Sequence, residues 1–211
     1  VKRAMHIEQV TLGADFAIDS LRTEQAGCVE RRIAFGQAPA TALFVDESIK
    51  FIEANEGGPF YLQLWTLVPH ALLNPTDEQM QAYARLHPGG PNFPHRSAAE
   101  IFYASVTDLD TQIGRLTKRL DELGLAEKTL IVFSSDNGPE DIHIANAGHS
   151  GVGSAGPFRG RKRSLYEGGI RVPFIVRWPG HVPSGRIDDT SVVAGCDLLP
   201  TVCHLAGADV P

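Results

Sequence analysis

Apolar residues at Phe102, Val106, Leu109, Ile113, Leu116, Leu120 and Leu123 alternate steps of four and three from Ala98 to a stop at Gly124. Only a helix laid on a core can bury such a stripe. Ser97 and Glu100 supply a capping-box start for it, a hydroxyl before the first turn and a carboxylate three residues on. After a short turn, the run from Thr129 to Ser134 is apolar without alternation, the pattern of a strand covered on both faces of a parallel sheet. A second buried strand is expected from Arg171 to Trp178. Helix, buried strand, loop, helix and buried strand in succession repeat the βαβ rhythm of an α/β sandwich. The stripe is therefore core packing and not a cofactor-binding face.

The flanking sequence extends this pattern. From Ala40 to Asn55, Leu43, Phe44, Ile49, Phe51 and Ile52 fit a helix facing a core, closed by Gly57-Gly58-Pro59. PFYLQLWTL then predicts a strand beginning at Pro59 and ending at Val68-Pro69-His70. From Ala71 to Ser97, Pro75, Pro88, Pro91 and Pro94 predict mostly loop, with a helical turn or two near Asp77 to Leu86. DLLPTVCHLAG reads as a further helix, whereas the first forty residues are weakly patterned. At 211 residues with no linker-like stretch, the expectation is one domain.

Charge and composition exclude several classes of function. A net charge of −6 argues against a general nucleic-acid binder. No run of eighteen apolar residues spans a membrane, and the opening VKRAMHIEQV lacks the apolar segment of a signal peptide, so neither terminus is expected to report targeting. Cys28, Cys196 and Cys203 have no metal-like or redox spacing. With DLLPTVCHLAG helical, Cys196 and Cys203 stand about 10 Å apart along the axis, too far for a disulfide.

Polar residues cluster where the strands are expected to end. Asp136 and Asn137 follow the apolar run at once, and Gly138-Pro139 turns the chain there. Their oxygens suit a hard cation such as Ca²⁺ or Mg²⁺, although an Asx-type turn is the plainer alternative and Ca²⁺ takes about six to eight oxygens. His70, held after a proline at another strand end, could bind an anion or donate a proton near neutral pH. Arg159, Arg161, Lys162, Arg163, Arg171 and Arg177 crowd one stretch, and no acidic residue occurs from Ile142 to Tyr166, a window that also contains His149. A basic loop on an acidic chain reads as an anion site, with Lys162 as a point charge on a tetrahedral oxyanion; a solvated loop is the alternative. Glu167, beside the anion site, is expected to be structural and to pair with a neighbouring Arg.

Taken in order, PFYLQLWTLVPH, YASVTDLDTQIGRL, TLIVFSSDNG, GPFRGRKRSLYEGGIRVPFIVRWPG and DLLPTVCHLAGADVP resemble the sulfatases of the arylsulfatase or N-acetylgalactosamine-6-sulfatase type. The resemblance covers 41–211 well and 1–40 only weakly. It implies an alkaline-phosphatase-like α/β/α sandwich with a mainly parallel sheet, present in part. It implies a sulfuric ester hydrolase acting on a sulfated sugar or aryl sulfate, with Asp136 and Asn137 as two Ca²⁺ ligands. Lys162 and His70 would be catalytic residues that hold the sulfate, with His149 and Arg161 as further substrate contacts. The family suggests a periplasmic, secreted or lysosomal protein.

The family's nucleophile is a formylglycine made within a C/S-x-P-x-R motif, and no such motif occurs here: Cys28 is followed by VERR, Cys196 by DLLP and Cys203 by HLAG. The expectation is the later part of a sulfatase domain, without the amino-terminal nucleophile region or carboxy-terminal subdomain, and inactive alone. A phosphodiester or phosphonate ester hydrolase of the same superfamily, or a non-catalytic fragment binding sulfated glycans, are the competing readings.

Overall fold

The computed structural model describes residues 10–11, 31–32, 40–70, 72–86, 97–141 and 148–209. The first helix, α1 (Ala40–Asn55), and the long α3 (Ala98–Glu122) pack against each other. Phe44, Phe51 and Ile52 of α1 meet Leu120 and the following Leu125 in one cluster. Arg115 and Arg119 of α3 bridge to Asp46 and Glu53 of α1 at 2.5 and 2.8 Å, aligning the two exposed flanks. Such half-exposed pairs each add about 1 kcal/mol at most, so the apolar seam carries the packing.

The capping box of α3 forms as its sequence predicts: Ser97 Oγ accepts from Glu100 N at 3.1 Å and Glu100 Oε2 accepts from Ser97 N at 2.7 Å. Glu100 is fully buried, its charge placed at the positive end of a 25-residue helix. Replacing Ser97 by Ala is expected to cost about 1 kcal/mol, measured by urea denaturation, because one amide of the first turn loses its acceptor. The turns expected near Asp77 to Leu86 are α2 (Asp77–Gln81), with its own Thr76/Gln79 capping box, and a 3₁₀ turn at Ala84–Leu86. The last helix is α5 (Leu198–Ala206), ended by Gly207 at φ 65°. Cys196 and Cys203 are free thiols, and Cys28 lies outside the described residues.

The strands depart from expectation. PFYLQLWTL is not a paired strand among the described residues, although it is extended: Phe60, Leu62, Leu64 and Leu67 pack on the α1/α3 cluster while Trp65 is exposed. Its apolar side chains thus find the core without a ladder partner among the described residues. β1 (Val10–Thr11) and β2 (Arg31–Arg32) form a two-residue parallel pair. β3 (Ile131–Ser134) and β4 (Phe174–Arg177) pair antiparallel, Ile131 opposite Arg177 and Ser134 opposite Phe174. The parallel arrangement expected for these two strands is corrected.

The reason lies in their connection. Among the described residues no long crossover helix separates β3 from β4; they make a 3₁₀ turn (Gly148–Val152), a single helical turn, α4 (Glu167–Ile170), and loops, and the chain returns to the end it left. Burial on two faces is also corrected, since Phe133, Phe174, Ile175 and Val176 are all exposed. Only one end of the pair is anchored to α3 and its following turn, where Arg177 bridges to Asp121 at 2.8 Å and Trp178 Nε1 donates to the Glu127 carbonyl at 2.9 Å. The described architecture is a partial α/β fold in which two helices support a wide β-hairpin, and all the candidate site residues but His70 lie in its loop.

Candidate functional site: an interlocked anion and cation loop

Three glycines set the shape of the loop. Gly138 N donates to the Gly169 carbonyl and Gly168 N to the Arg159 carbonyl, both at 2.8 Å. These bonds bring three backbones together so closely that none has room for a Cβ. At Gly138 a Cβ would overlap the Gly168 carbonyl oxygen; at Gly168, that of Gly160, with Arg159 O at 2.7 Å; at Gly169, that of Ser164, with Arg161 O at 2.6 Å. The sequences DNG, RGRKRS and EGG are thereby interlocked through main chain, and Lys162 N completes the tie by donating to Pro139 O at 2.9 Å. Gly138 and Gly168, 30 residues apart in the chain, are adjacent in space because only hydrogen atoms stand between their backbones.

The interlock carries Asp136 and Asn137 on one side. Asp136 is exposed, and among the described residues its carboxylate has no hydrogen-bond or ionic partner. The Asn137 amide nitrogen donates to Gly138 O at 2.8 Å, which leaves its side-chain oxygen as an acceptor. Ser135 Oγ donates to the Asn137 carbonyl at 3.0 Å and shapes the turn. Two oxygen donors side by side fit the donor chemistry of Ca²⁺. Among the described residues no three His, Cys, Asp or Glu side chains gather into a metal-binding group, so these two would be part of a larger set.

Lys162 and Arg161 lie on the other side, and the structure separates their duties. Arg161 Nε donates to Glu140 O at 2.8 Å and Nη2 to Gly151 O at 3.0 Å and to Gly153 O. It therefore latches the loop to the 3₁₀ turn at Gly148–Val152 that carries His149, leaving Nη1 as its donor without a described partner. Lys162 Nζ stands 3.7 Å from Glu140 Oε2, and Arg163 Nη1 is bonded to Glu140 Oε1. Glu140 is 11% exposed. The Arg163 guanidinium holds its carboxyl below the usual carboxylate range, helped by the Asp141 amide and by Lys162, while burial pulls the other way. Arg163 adopts φ 72°, a left-handed backbone that costs a side-chain-bearing residue about 1 kcal/mol and that the Glu140 bond helps to hold.

Aromatic rings brace the remaining cations. The Arg159 guanidinium lies 4.0 Å over the Tyr166 ring and that of Arg171 4.6 Å over Phe158. Glu167 pairs with Arg171 at 3.5 Å, as expected of a structural residue. His70 belongs to a different part of the chain, on the exposed turn after the extended segment, its amide donating to Leu67 O at 2.6 Å. Geometry thus joins Asp136, Asn137, Lys162, Arg161 and the turn bearing His149 into one unit. Glu140 escaped the sequence reading. Its signal was present as the carboxylate two residues before the acid-free stretch, at the point where a basic loop first needs a counter-charge.

The model of the Sulfatase family matches residues 11–208, which include every residue of this unit. The chain belongs to the sulfatase family. It is 38% identical over 173 residues to steryl-sulfatase of Mus musculus, an alignment covering 81% of this chain and 25% of that protein. Against arylsulfatase A of Homo sapiens it is 39% identical over 122 residues, covering 58% of this chain and 23% of the relative. Among solved structures, Ps i-CgsB in complex with k-i-k-neocarrahexaose superposes with a TM-score of 0.69 at 30% identity, over 83% of this chain and 36% of that one. This sulfatase-family chain thus spans about a quarter of the length of the curated relatives and about a third of the solved one.

Proposed function

We propose that this chain supplies the substrate-holding and part of the metal-holding side of a sulfuric ester hydrolase that cleaves a sulfate ester of a sulfated sugar or an aryl sulfate. The observation that carries the reading is the main-chain interlock, which places an oxygen-donor pair, Asp136 and Asn137, on the same rigid unit as the Lys162 ammonium. A sulfate ester needs both kinds of group, because its oxygens are anionic and its bridging oxygen gains charge as the S–O bond breaks. Family membership supports sulfate as the anion, and the sugar named for the Ps i-CgsB complex supports a glycan substrate. An α/β/α sandwich with a mainly parallel sheet is the architecture we propose for the whole domain.

Within this reading, Lys162 places a compact positive charge against a sulfate oxygen and stabilises the leaving oxygen. Arg161 fixes the loop and offers Nη1 to a second sulfate oxygen, with His149 on the turn that Arg161 holds. His70 binds the sulfate from another side and is the residue able to return a proton to the departing hydroxyl. Asp136 and Asn137 would hold Ca²⁺, which when bound would polarise the sulfate oxygens. None of the three cysteines lies in a C/S-x-P-x-R motif, so the groups present bind and orient, and the attacking group is proposed to come from outside these residues.

The test is hydrolysis of 4-nitrophenyl sulfate by a polypeptide that joins this sequence to a C/S-x-P-x-R segment, beside the 211-residue chain alone. Turnover by the former that is lost on chelation and restored by Ca²⁺, with none by the latter, is expected. Faster cleavage of a phosphodiester by the same polypeptide would transfer the site to phosphorus chemistry. Salt-sensitive binding of a sulfated polysaccharide with no turnover in either form would leave a glycan-binding module.

A further inference from the structure

Resting on the reading of Lys162 as a sulfate ligand, we infer that Glu140 is the internal counter-ion of the anion site, a carboxylate that occupies the clamp when sulfate is absent and that sulfate must displace from Lys162. Three observations lead there. The carboxylate is nearly buried, at 11% exposed, and its two oxygens divide the two cations, Oε1 to Arg163 and Oε2 to Lys162. The two contacts are unequal: Arg163 is bonded directly, whereas Lys162 stands off at 3.7 Å, an ion-pair distance without a formed hydrogen bond. The carboxylate is also fixed from below, since Oε1 accepts the Asp141 amide at 2.8 Å and the Glu140 carbonyl is gripped by Arg161.

Glu140 is thus anchored independently of Lys162. The ammonium can leave it without dismantling the loop, and an anion arriving at Lys162 meets a negative charge that cannot retreat. Such a charge does two things at once. It keeps Lys162 ordered in the empty site, and it lowers the net positive potential that an anion encounters. The consequence for selectivity is that a weakly held monoanion does not displace it, whereas a dianion or a sulfate ester assisted by contacts along its sugar does. Glu140 acts through Lys162 and does not touch the substrate.

Isothermal titration of the 211-residue chain with sodium sulfate tests this, using Glu140→Gln, Lys162→Ala and the double variant, with thermal melts for folding. Gln keeps an acceptor for Arg163 and removes the charge. Glu140→Gln is expected to bind sulfate roughly fivefold more tightly in low salt, the gain shrinking as the Debye length falls to about 3 Å in 1 M salt. The gain is expected to vanish in the Lys162→Ala background, because the carboxylate acts through that ammonium. A folded Glu140→Gln protein with unchanged or weaker sulfate affinity, or a gain that persists without Lys162, overturns the inference. Should Glu140→Gln not fold, Glu140→Asp withdraws the same charge by one methylene and is expected to tighten binding about twofold, with no tightening counting against the inference. Sulfate binding indifferent to Lys162→Ala in the otherwise unaltered chain defeats instead the reading of Lys162 as a sulfate ligand.

Discussion

Gly168→Ala is expected to destabilise the chain by about 3 kcal/mol or more, the range of overpacking against groups that cannot yield. The added methyl would overlap the Gly160 carbonyl oxygen and meet Arg159 O at 2.7 Å. Both are main-chain atoms, so no rotamer change relieves the overlap; the EGG turn must move away from the RGRKRS loop. That movement breaks the bond from Gly168 N to Arg159 O, and with it the register that sets Lys162 beside Pro139. Gly57→Ala serves as the control, because nothing lies within 4 Å of a Cβ there and a change within about 0.5 kcal/mol is expected. Urea denaturation of the two variants beside the unaltered chain decides the matter. A Gly168→Ala protein as stable as Gly57→Ala would show that the three backbones are not in contact.

Loss of Lys162 is expected to have the largest effect on catalysis. In the polypeptide that joins this sequence to a nucleophile segment, Lys162→Ala should lower kcat/KM for 4-nitrophenyl sulfate by about 10²- to 10³-fold, the cost of removing one preorganised group from a developing oxyanion. Such a loss corresponds to about 2.7–4 kcal/mol of transition-state stabilisation. The fall should lie mainly in kcat, because charge on the bridging oxygen grows only as the bond breaks. Lys162→Arg should recover little. A guanidinium is planar and delocalised where the ammonium is a compact point charge, and Glu140 is spaced to receive the shorter group. A Lys162→Ala enzyme within threefold of the parent, at about 0.7 kcal/mol, would remove Lys162 from the chemistry.

Helices were the most legible part of the sequence. The stripe from Phe102 to Leu123, the Ser97/Glu100 box and the stop at Gly124 depend on neighbours three and four residues away, and local sequence holds that information. Strand direction is another kind of quantity. Nothing in the run from Ile131 to Ser134 states which way its partner will run, and β4 is antiparallel, the described residues between the two strands making only short turns. PFYLQLWTL shows the same limit, its extended, core-facing character being intrinsic and its pairing not. At the site, residue type and position bring Asp136, Asn137 and Lys162 forward as candidates, and the structure sets all three on one glycine-tied loop. The role of Glu140 was not, because a carboxylate 22 residues before Lys162 becomes its partner only after the glycines close. Gly168 and Gly169 could be read as permitting close approach, but not which backbones would approach.

Ser134 faces Phe174, and Ser134 Oγ donates to the Pro173 carbonyl at 3.0 Å across a separation of 39 residues. Bringing together the ends of so long a segment costs about 3 kcal/mol in chain entropy, by the (3/2)RT ln n rule. Once β3 and β4 have met, every contact inside that span joins points already confined to a small volume. The contacts from Gly138 to Gly168 and from Glu140 to Arg161 each close a shorter ring within the larger one. Two four-residue strands therefore act as the hasp of the binding loop, holding its ends together so that the glycine and charge contacts close within an already confined span.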